Sequence, residues 1–388
     1  MEASRLAYSY PRRVEGMENR GFVLIADITG YTVYLNESEL EHAQGTLTQL
    51  LELLIEHTKP PLVLSSLEGD AVFSYALDTG MVSSQTFIEG IESAYVAFRR
   101  AIELMVLNNT CQCRACANVS SLDLKFFLHH GTFVIQRIGG DHQLVGTDVN
   151  LIHRLLKNSV KAATGIGAYF LCTEAAVAAL GMDPATQGMV RHEEAVADLG
   201  RVTVWIKDVH PVYQAKRGEA LVSYTPREVL GETATELKMP PELVWDYLNQ
   251  SEFRNLLIRS DSYQVIDRQA GNIAPGSTYQ CYHGKMLVPQ LVVEWRPFER
   301  VLLSQRIPFK GRPTEVLIDF QLTPTPSGTL LTETVARLTG PPLQRVMARL
   351  MIRSQRQRSQ ASIEEFRDAV QADLASRRAE QPIIVPGA

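Results

Sequence analysis

The sequence lacks an apolar run long enough to cross a bilayer, and its opening stretch MEASRLAYSYPRR lacks the apolar core of a secretory signal. No transmembrane segment is expected, residues 1–20 read as a loose leader, and the cytoplasm is the expected compartment. An excess of basic charge is missing as well, since 38 Lys and Arg stand against 43 Asp and Glu for a net charge of −5. That balance gives no support to nucleic-acid binding, which draws on a clustered basic face. Internal repeats and low-complexity tracts are absent. What remains, 45% hydrophobic and 21% charged, is the composition of an ordinary, mildly acidic globular chain. Its 388 residues are enough for two domains, each with a core of its own.

Cysteine is scarce, and three of the five crowd together as Cys111, Cys113 and Cys116 in CQCRAC. In a reducing compartment such crowding favours a metal over a disulfide. A structural Zn²⁺ wants four ligands, so His129, His130, Cys172 or a neighbouring subunit would have to supply the last. Reduced or redox-labile thiols are the competing reading.

The chain is organised around residues 21–32, GFVLIADITGYT. Val23, Leu24 and Ile25 read as a buried strand, which delivers Asp27 to its end. A carboxylate there is costly to bury unless it faces a cleft and holds a cation. Thr29, Gly30 and Thr32 can open a helix whose free N–H groups suit a phosphate. A second carboxylate, Asp70, follows in LVLSSLEGDAVFSYA, where Glu68-Gly69-Asp70 reads as a hairpin tip. Asp27 and Asp70 together suit a hard-oxygen site for Mg²⁺ or Mn²⁺, although either alone reads more readily as a plain turn residue. In VGTDVNLIHRLLK, Asn150 and Arg154 stand four apart on one helical face. An amide and a fixed cation so placed suit a sugar hydroxyl and a phosphate gaining charge, or else are simply solvated.

ADITGYT, EGDAVFS, HHGTFV and GTDVNLIHRLL, in that order, resemble the catalytic domain of the class III adenylate and guanylate cyclases. The resemblance covers about residues 21–215 and implies a ferredoxin-like α+β sandwich. It implies that Asp27 and Asp70, assisted by the Ile28 carbonyl, hold two Mg²⁺ or Mn²⁺ ions. It further implies that Asn150 orients the ribose, that Arg154 stabilises the α-phosphate, and that Lys207, in VTVWIKDVHPVY, binds the triphosphate. In that family the metal carboxylates and the Asn/Arg pair meet across a subunit interface, so a homodimer is implied. The base is selected there by a Lys four residues before the second metal Asp and by an acidic or Cys residue seven before the Asn. This chain has Ser66 and Gln143 at those positions, both uncharged but able to hydrogen-bond.

Between these segments, helices are expected over 39–57 and 86–105, and a hairpin from strands 122–130 and 131–137. His129 and His130, adjacent on a strand, must face opposite ways. Residues 216–221 read as a linker. Beyond it the pattern resets: a strand over 228–237, one or two helices over 240–257, six further strands, and one long helix over 342–375. Residues 377–388 read as a disordered tail.

That order, with TELKMPPELVWDYLN and VEWRPFERV, resembles the START and polyketide-cyclase superfamily over about residues 222–376. The resemblance implies a helix-grip fold, an antiparallel sheet closed by a long C-terminal helix, with an apolar cavity for a hydrophobic small molecule. Met347, Leu350 and Met351 are expected to face that cavity, or to be ordinary core. Arg345, Arg349, Arg353, Arg356 and Arg358 make the helix basic, which suits solvent, an anionic membrane or an acidic partner. Cys281 and His283 are the only pair there that invites a nucleophile–base reading.

The expectation is therefore a nucleotidyl cyclase joined to a ligand-binding domain, turning a nucleoside triphosphate, ATP ahead of GTP, into a 3′,5′-cyclic monophosphate. A non-catalytic nucleotide or metal sensor, and a carrier or sensor of a hydrophobic metabolite, are the alternatives.

Overall fold

A computed structural model describes residues 16–36, 40–78, 82–107, 118–138, 141–217, 221–269, 271–307 and 314–379. The chain divides into two compact units between Glu219 and Ala220. Both are mixed α+β structures built on largely antiparallel sheets. Among the described residues no helix is long and apolar enough to cross a membrane.

The first unit is built on β1 (Glu18–Thr29), whose run from Phe22 to Ala26 is buried. β1 lies between β3 (Ala71–Leu77) and β4 (Asp123–Ile138), antiparallel to both. With β2 (Val63–Glu68), β6 (Tyr169–Thr173), β7 (Val190–Val196) and β8 (Gly200–Asp208) the order is β2-β3-β1-β4-β6-β8-β7, and β5 (Asp141–Val145) pairs with β4. Strand alternation gives the sheet two apolar faces. Val23, Ile25, Phe127, Leu171 and Ile206 pack against Val149, Ile152 and Leu155 of α4 (Thr147–Leu155). The other face is covered by helices, Phe170 meeting Phe87 of α3 (Ser84–Leu107). The short α1 (Tyr31–Asn36) and the long α2 (Leu40–Thr58) follow β1, and α5 (Val160–Thr164), α6 (Glu174–Leu180) and α7 (His210–Arg217) complete the unit.

Two sequence expectations are corrected here. The leader does not run to residue 20, because β1 begins at Glu18, where the pairing of Glu18 with Val134 extends it. Residues 122–137 are not a hairpin but the single strand β4, which passes straight through Gly131. That glycine serves close approach instead of a turn: a Cβ on it would lie 2.3 Å from the Asp148 carboxylate.

The second unit has one antiparallel sheet of β9 (Val229–Leu237), β10 (Ser262–Asp267), β11 (Thr278–His283), β12 (Met286–Arg296), β13 (Arg300–Ile307), β14 (Thr314–Thr325) and β15 (Gly328–Thr339), in the order β10-β11-β12-β13-β14-β15-β9. Between β9 and β10 stand α8 (Pro241–Leu248) and α9 (Ser251–Ile258). Trp245 of α8 is fully buried edge-on to Trp295. Arg254 of α9 is also buried, its guanidinium over the rings of Tyr263, Tyr279 and Phe320.

The expected single last helix is two, α10 (Pro342–Ser354) and α11 (Arg356–Ala379), separated at Gln355. Each half has its own packing: Ala348 of α10 meets Ile307 and Val316, whereas Ile363, Phe366 and Val370 bury α11. Met347, Leu350 and Met351 do not face the interior, being 52%, 62% and 39% exposed. The stripe of α10 that packs inward is the buried Ala348 with the half-buried Gln344 and Ile352, about a third of a turn round the helix. Cys281 is no activated nucleophile, since its buried thiol contacts the Val288 carbonyl and burial pushes it up to about 11. The expected tail over 377–388 starts too early, because α11 continues to Ala379; its remainder, 380–388, and Cys111, Cys113 and Cys116 lie outside the described residues.

Candidate metal and nucleotide site

Asp27 shares a sheet face with Val23 and Ile25 and stands opposite Ala71 on β3 and Lys125 on β4. Asp70 occupies the tip of the β2–β3 hairpin, where Gly69 takes the left-handed conformation (φ +66°) that the turn requires. The Ile28 N–H donates to the Asp70 carbonyl at 3.2 Å, which fixes the tip beside the end of β1. Burial raises the Asp27 carboxyl to about 6, reinforced by the neighbouring Asp70 charge and opposed by Lys125. Asp70 is also raised, mainly by burial. Two hard carboxylates that disfavour each other's ionisation suit a divalent cation, and Mg²⁺ commonly takes one or two protein carboxylates with substrate phosphates and water. Among the described residues, Asp27 and Asp70 are a pair whose chemistry would suit such an ion. Among the described residues no group of three or more His, Cys, Asp or Glu forms a metal cluster.

Beyond Asp27 the strand continues through Ile28 to Thr29, whose buried hydroxyl has no partner among the described residues. Gly30 (φ +90°) turns the chain into α1, and its carbonyl accepts the Tyr34 N–H. With six residues, α1 is less than two turns long.

Asn150 and Arg154 lie on α4 as expected, with the Asn150 side chain exposed. Asp148 fixes the helix start by accepting the Thr132 N–H at 2.7 Å and facing His129 Nε2 at 3.3 Å. Burial opposes the Asp148 charge, but these bonds outweigh it and hold the carboxyl below its ordinary value. Burial likewise lowers His129, whose Nδ1 meets the Thr173 hydroxyl at 2.8 Å. His130 points to the other face and bonds Asp78 at 2.9 Å. Arg154 reaches the turn between β7 and β8, donating to the Ala197 carbonyl and, at 2.9 Å, to the Asp198 carboxylate.

Lys207 is not brought to the Asp27 face. It sits opposite Phe170 on β8, and Phe170 pairs with Phe126, the β4 residue next to Lys125, so Lys207 projects from the reverse side. There it pairs with Glu92 of α3 at 2.8 Å. Ser66 lies at a bulge in β2, its hydroxyl 3.5 Å from Glu68, and Gln143 is exposed on β5.

Two residues escaped the sequence reading. Lys125 is the cation facing Asp27, with its ammonium 5.3 Å from the Tyr169 ring centroid and its pKa lowered chiefly by burial. A signal was available, since in LDLKFFLHH it is a lone lysine among apolar neighbours. Asp198 gave none, because its pairing with Arg154 spans forty-four positions.

The profile of the family described as Protein of unknown function (DUF2652) matches residues 47–164, a stretch that includes Asp70, Asn150 and Arg154 but not Asp27 or Lys207. An uncharacterized protein of Mycobacterium tuberculosis is 34% identical over 114 residues, covering 29% of this chain and 52% of its own length. The chain thus spans about half the length of the curated relative it matches. Solved structures similar to it include the adenylyl cyclase CyaB from P. aeruginosa, 16% identical over 49% of this chain and 94% of that one, with a TM-score of 0.36. A bacterial light-regulated adenylyl cyclase is 13% identical over 53% of this chain and 59% of its own, with a TM-score of 0.39. A protein from Nitrosomonas europaea is 18% identical over 39% of this chain and 99% of its own, with a TM-score of 0.31.

Proposed function

We propose that the first unit is a nucleotidyl cyclase, converting a noucleoside triphosphate, ATP as the expected one, to a 3′,5′-cyclic monophosphate and pyrophosphate. The observation that carries this reading is the carboxylate pair Asp27 and Asp70, held side by side with Asp27 raised to about 6. Bound Mg²⁺ or Mn²⁺ would supply charge for the phosphates and acidity for the ribose 3′-hydroxyl. Asn150 positions the ribose, and Arg154 stabilises charge growing on the α-phosphate. Lys125 is the cation on the carboxylate face, while Lys207 stands on the reverse face paired with Glu92 and takes no part in this reading. Asp27 and Arg154 serve one site from two chains of a homodimer. Incubating the purified protein with Mn²⁺ and each triphosphate, and quantifying cyclic nucleotide and pyrophosphate together, tests the reading; binding without turnover would sink it.

Binding without turnover is what a second reading, a nucleotide or metal sensor, predicts. It is favoured by the engagement of both expected phosphate cations, Arg154 by Asp198 and Lys207 by Glu92, and by the uncharged Ser66 and Gln143. For the second unit we propose a hydrophobic small molecule as ligand, held between the sheet and the helices that cover it. The support is the layering of α11 and α9 over an apolar sheet.

A further inference from the structure

The second unit exposes apolar surface where its core has no use for it. Along α10, Leu343, Val346, Met347, Leu350 and Met351 are 73%, 57%, 52%, 62% and 39% exposed. Their spacing, i, i+3, i+4, i+7 and i+8, makes one continuous stripe. Gln344, Ala348 and Ile352 form the adjoining stripe that packs on the unit, and Arg345, Arg349 and Arg353 form the remaining flank, all exposed. Residues 340–363 contain five arginines and no Asp or Glu.

A second element adds to the same end of the sheet. β11 and β12 turn at Gly284 and Lys285, and Met286 and Leu287 beyond the turn are 45% and 39% exposed. The pairings Gln290 with Gln305, Ile307 with Thr314, and Glu315 with Thr339 put this turn at the end of the sheet where β15 hands over to α10. A contiguous exposed apolar patch on a protein marks an interaction surface. On α10 itself the stripe is flanked by three arginines and by no carboxylate, the composition of helices that lie in the plane of an anionic bilayer.

We infer that α10, helped by the β11–β12 turn, docks the second unit on an anionic lipid surface, with the apolar stripe at the acyl boundary and the arginines among headgroups. The charge pattern argues against a second copy of this chain as the occupant, because a two-fold pairing of this face would set arginine against arginine with no carboxylate on the helix to meet them. Long basic side chains beside an apolar stripe can bury their stems while keeping their charge at the headgroups.

Co-sedimentation of the full chain with vesicles tests this. Phosphatidylcholine vesicles containing about one-third phosphatidylglycerol should bind it at least roughly tenfold better than phosphatidylcholine alone, with the difference shrinking as salt rises. Leu343→Ser with Leu350→Ser, and separately Arg345→Gln with Arg349→Gln, should each weaken binding roughly tenfold. These side chains are exposed, so unchanged circular dichroism and melting should accompany the loss. Failure to bind anionic vesicles at low salt overturns the inference, as does binding that both double variants leave intact. A dimer broken by Leu343→Ser with Leu350→Ser, without vesicle binding, also overturns it and assigns the face to a second copy.

Discussion

The amide of Ile28 and the carbonyl of Asp70 are joined by a 3.2 Å hydrogen bond, which ties a hairpin tip to the end of a central strand. Two carboxylates that repel one another are thereby held together by backbone, so the fold meets the cost of assembling the pair before any cation arrives.

From this follows the first prediction. Asp27→Ala and Asp70→Ala should each abolish metal-dependent triphosphate binding, and Asp27→Asn should raise the melting temperature of the metal-free protein by removing a buried, repelled charge. Titration calorimetry and thermal melts read both effects. Unchanged Mn²⁺-ATP affinity in the two alanine variants would end the metal assignment.

Arg154→Ala should lower turnover by roughly 10²–10³-fold with a much smaller change in substrate affinity, the pattern of an interaction made in the transition state. Because Asp27 and Arg154 are proposed to meet across a dimer, mixing inactive Asp27→Ala with inactive Arg154→Ala should restore part of the activity. A mixture that stays dead despite demonstrated subunit exchange disproves the shared site.

Gly131→Ala should destabilise the first unit by about 1–3 kcal/mol, the usual cost of overpacking, since the new methyl would fall 2.3 Å from the Asp148 carboxylate. Adding Asp148→Ala should not merely sum with it, because the clash partner is gone. Chemical denaturation of the four proteins in that cycle measures the coupling.

Arg300 pairs with Asp319 at 2.8 Å and Glu294 at 3.1 Å, both carboxylates being almost wholly buried. Arg300→Met should cost about 3–5 kcal/mol by stranding two buried charges. If denaturation shows a loss below about 1 kcal/mol, the pairing is not structural.

Glu333 supplies a pH dependence. Burial raises it to about 7, while its bond from Thr233 and the charge of Arg254 pull the other way. A carboxyl raised above its unfolded value binds more protons when folded, so its contribution is fully present below about 4.5 and is lost as pH rises through about 7. Glu333→Gln should flatten that stretch of the stability profile and leave the protein more stable than the parent at pH values above it. Urea melts across the window decide the matter, and a parent profile that does not fall there refutes it.

Local chemistry was legible in the amino-acid sequence. The turn at Glu68-Gly69-Asp70, the apolar run that places Asp27, the helix that carries Asn150 and Arg154, and nearly every strand of the second unit depend on neighbours a few residues apart, where turn preference and periodicity act. What lay beyond those neighbours was decided by tertiary structure. Which face of β8 Lys207 occupies depends on strand register, and the register turned it toward Glu92 while placing Lys125 beside Asp27. Gly131 looked like a turn because the demand on it comes from Asp148, seventeen residues away. The apolar residues of α10 read as cavity lining or as core, because a helix with apolar residues on more than one face does not say which one the core will take. Packing chose Ala348 and its neighbours, and that choice left Leu343, Met347 and Leu350 outside.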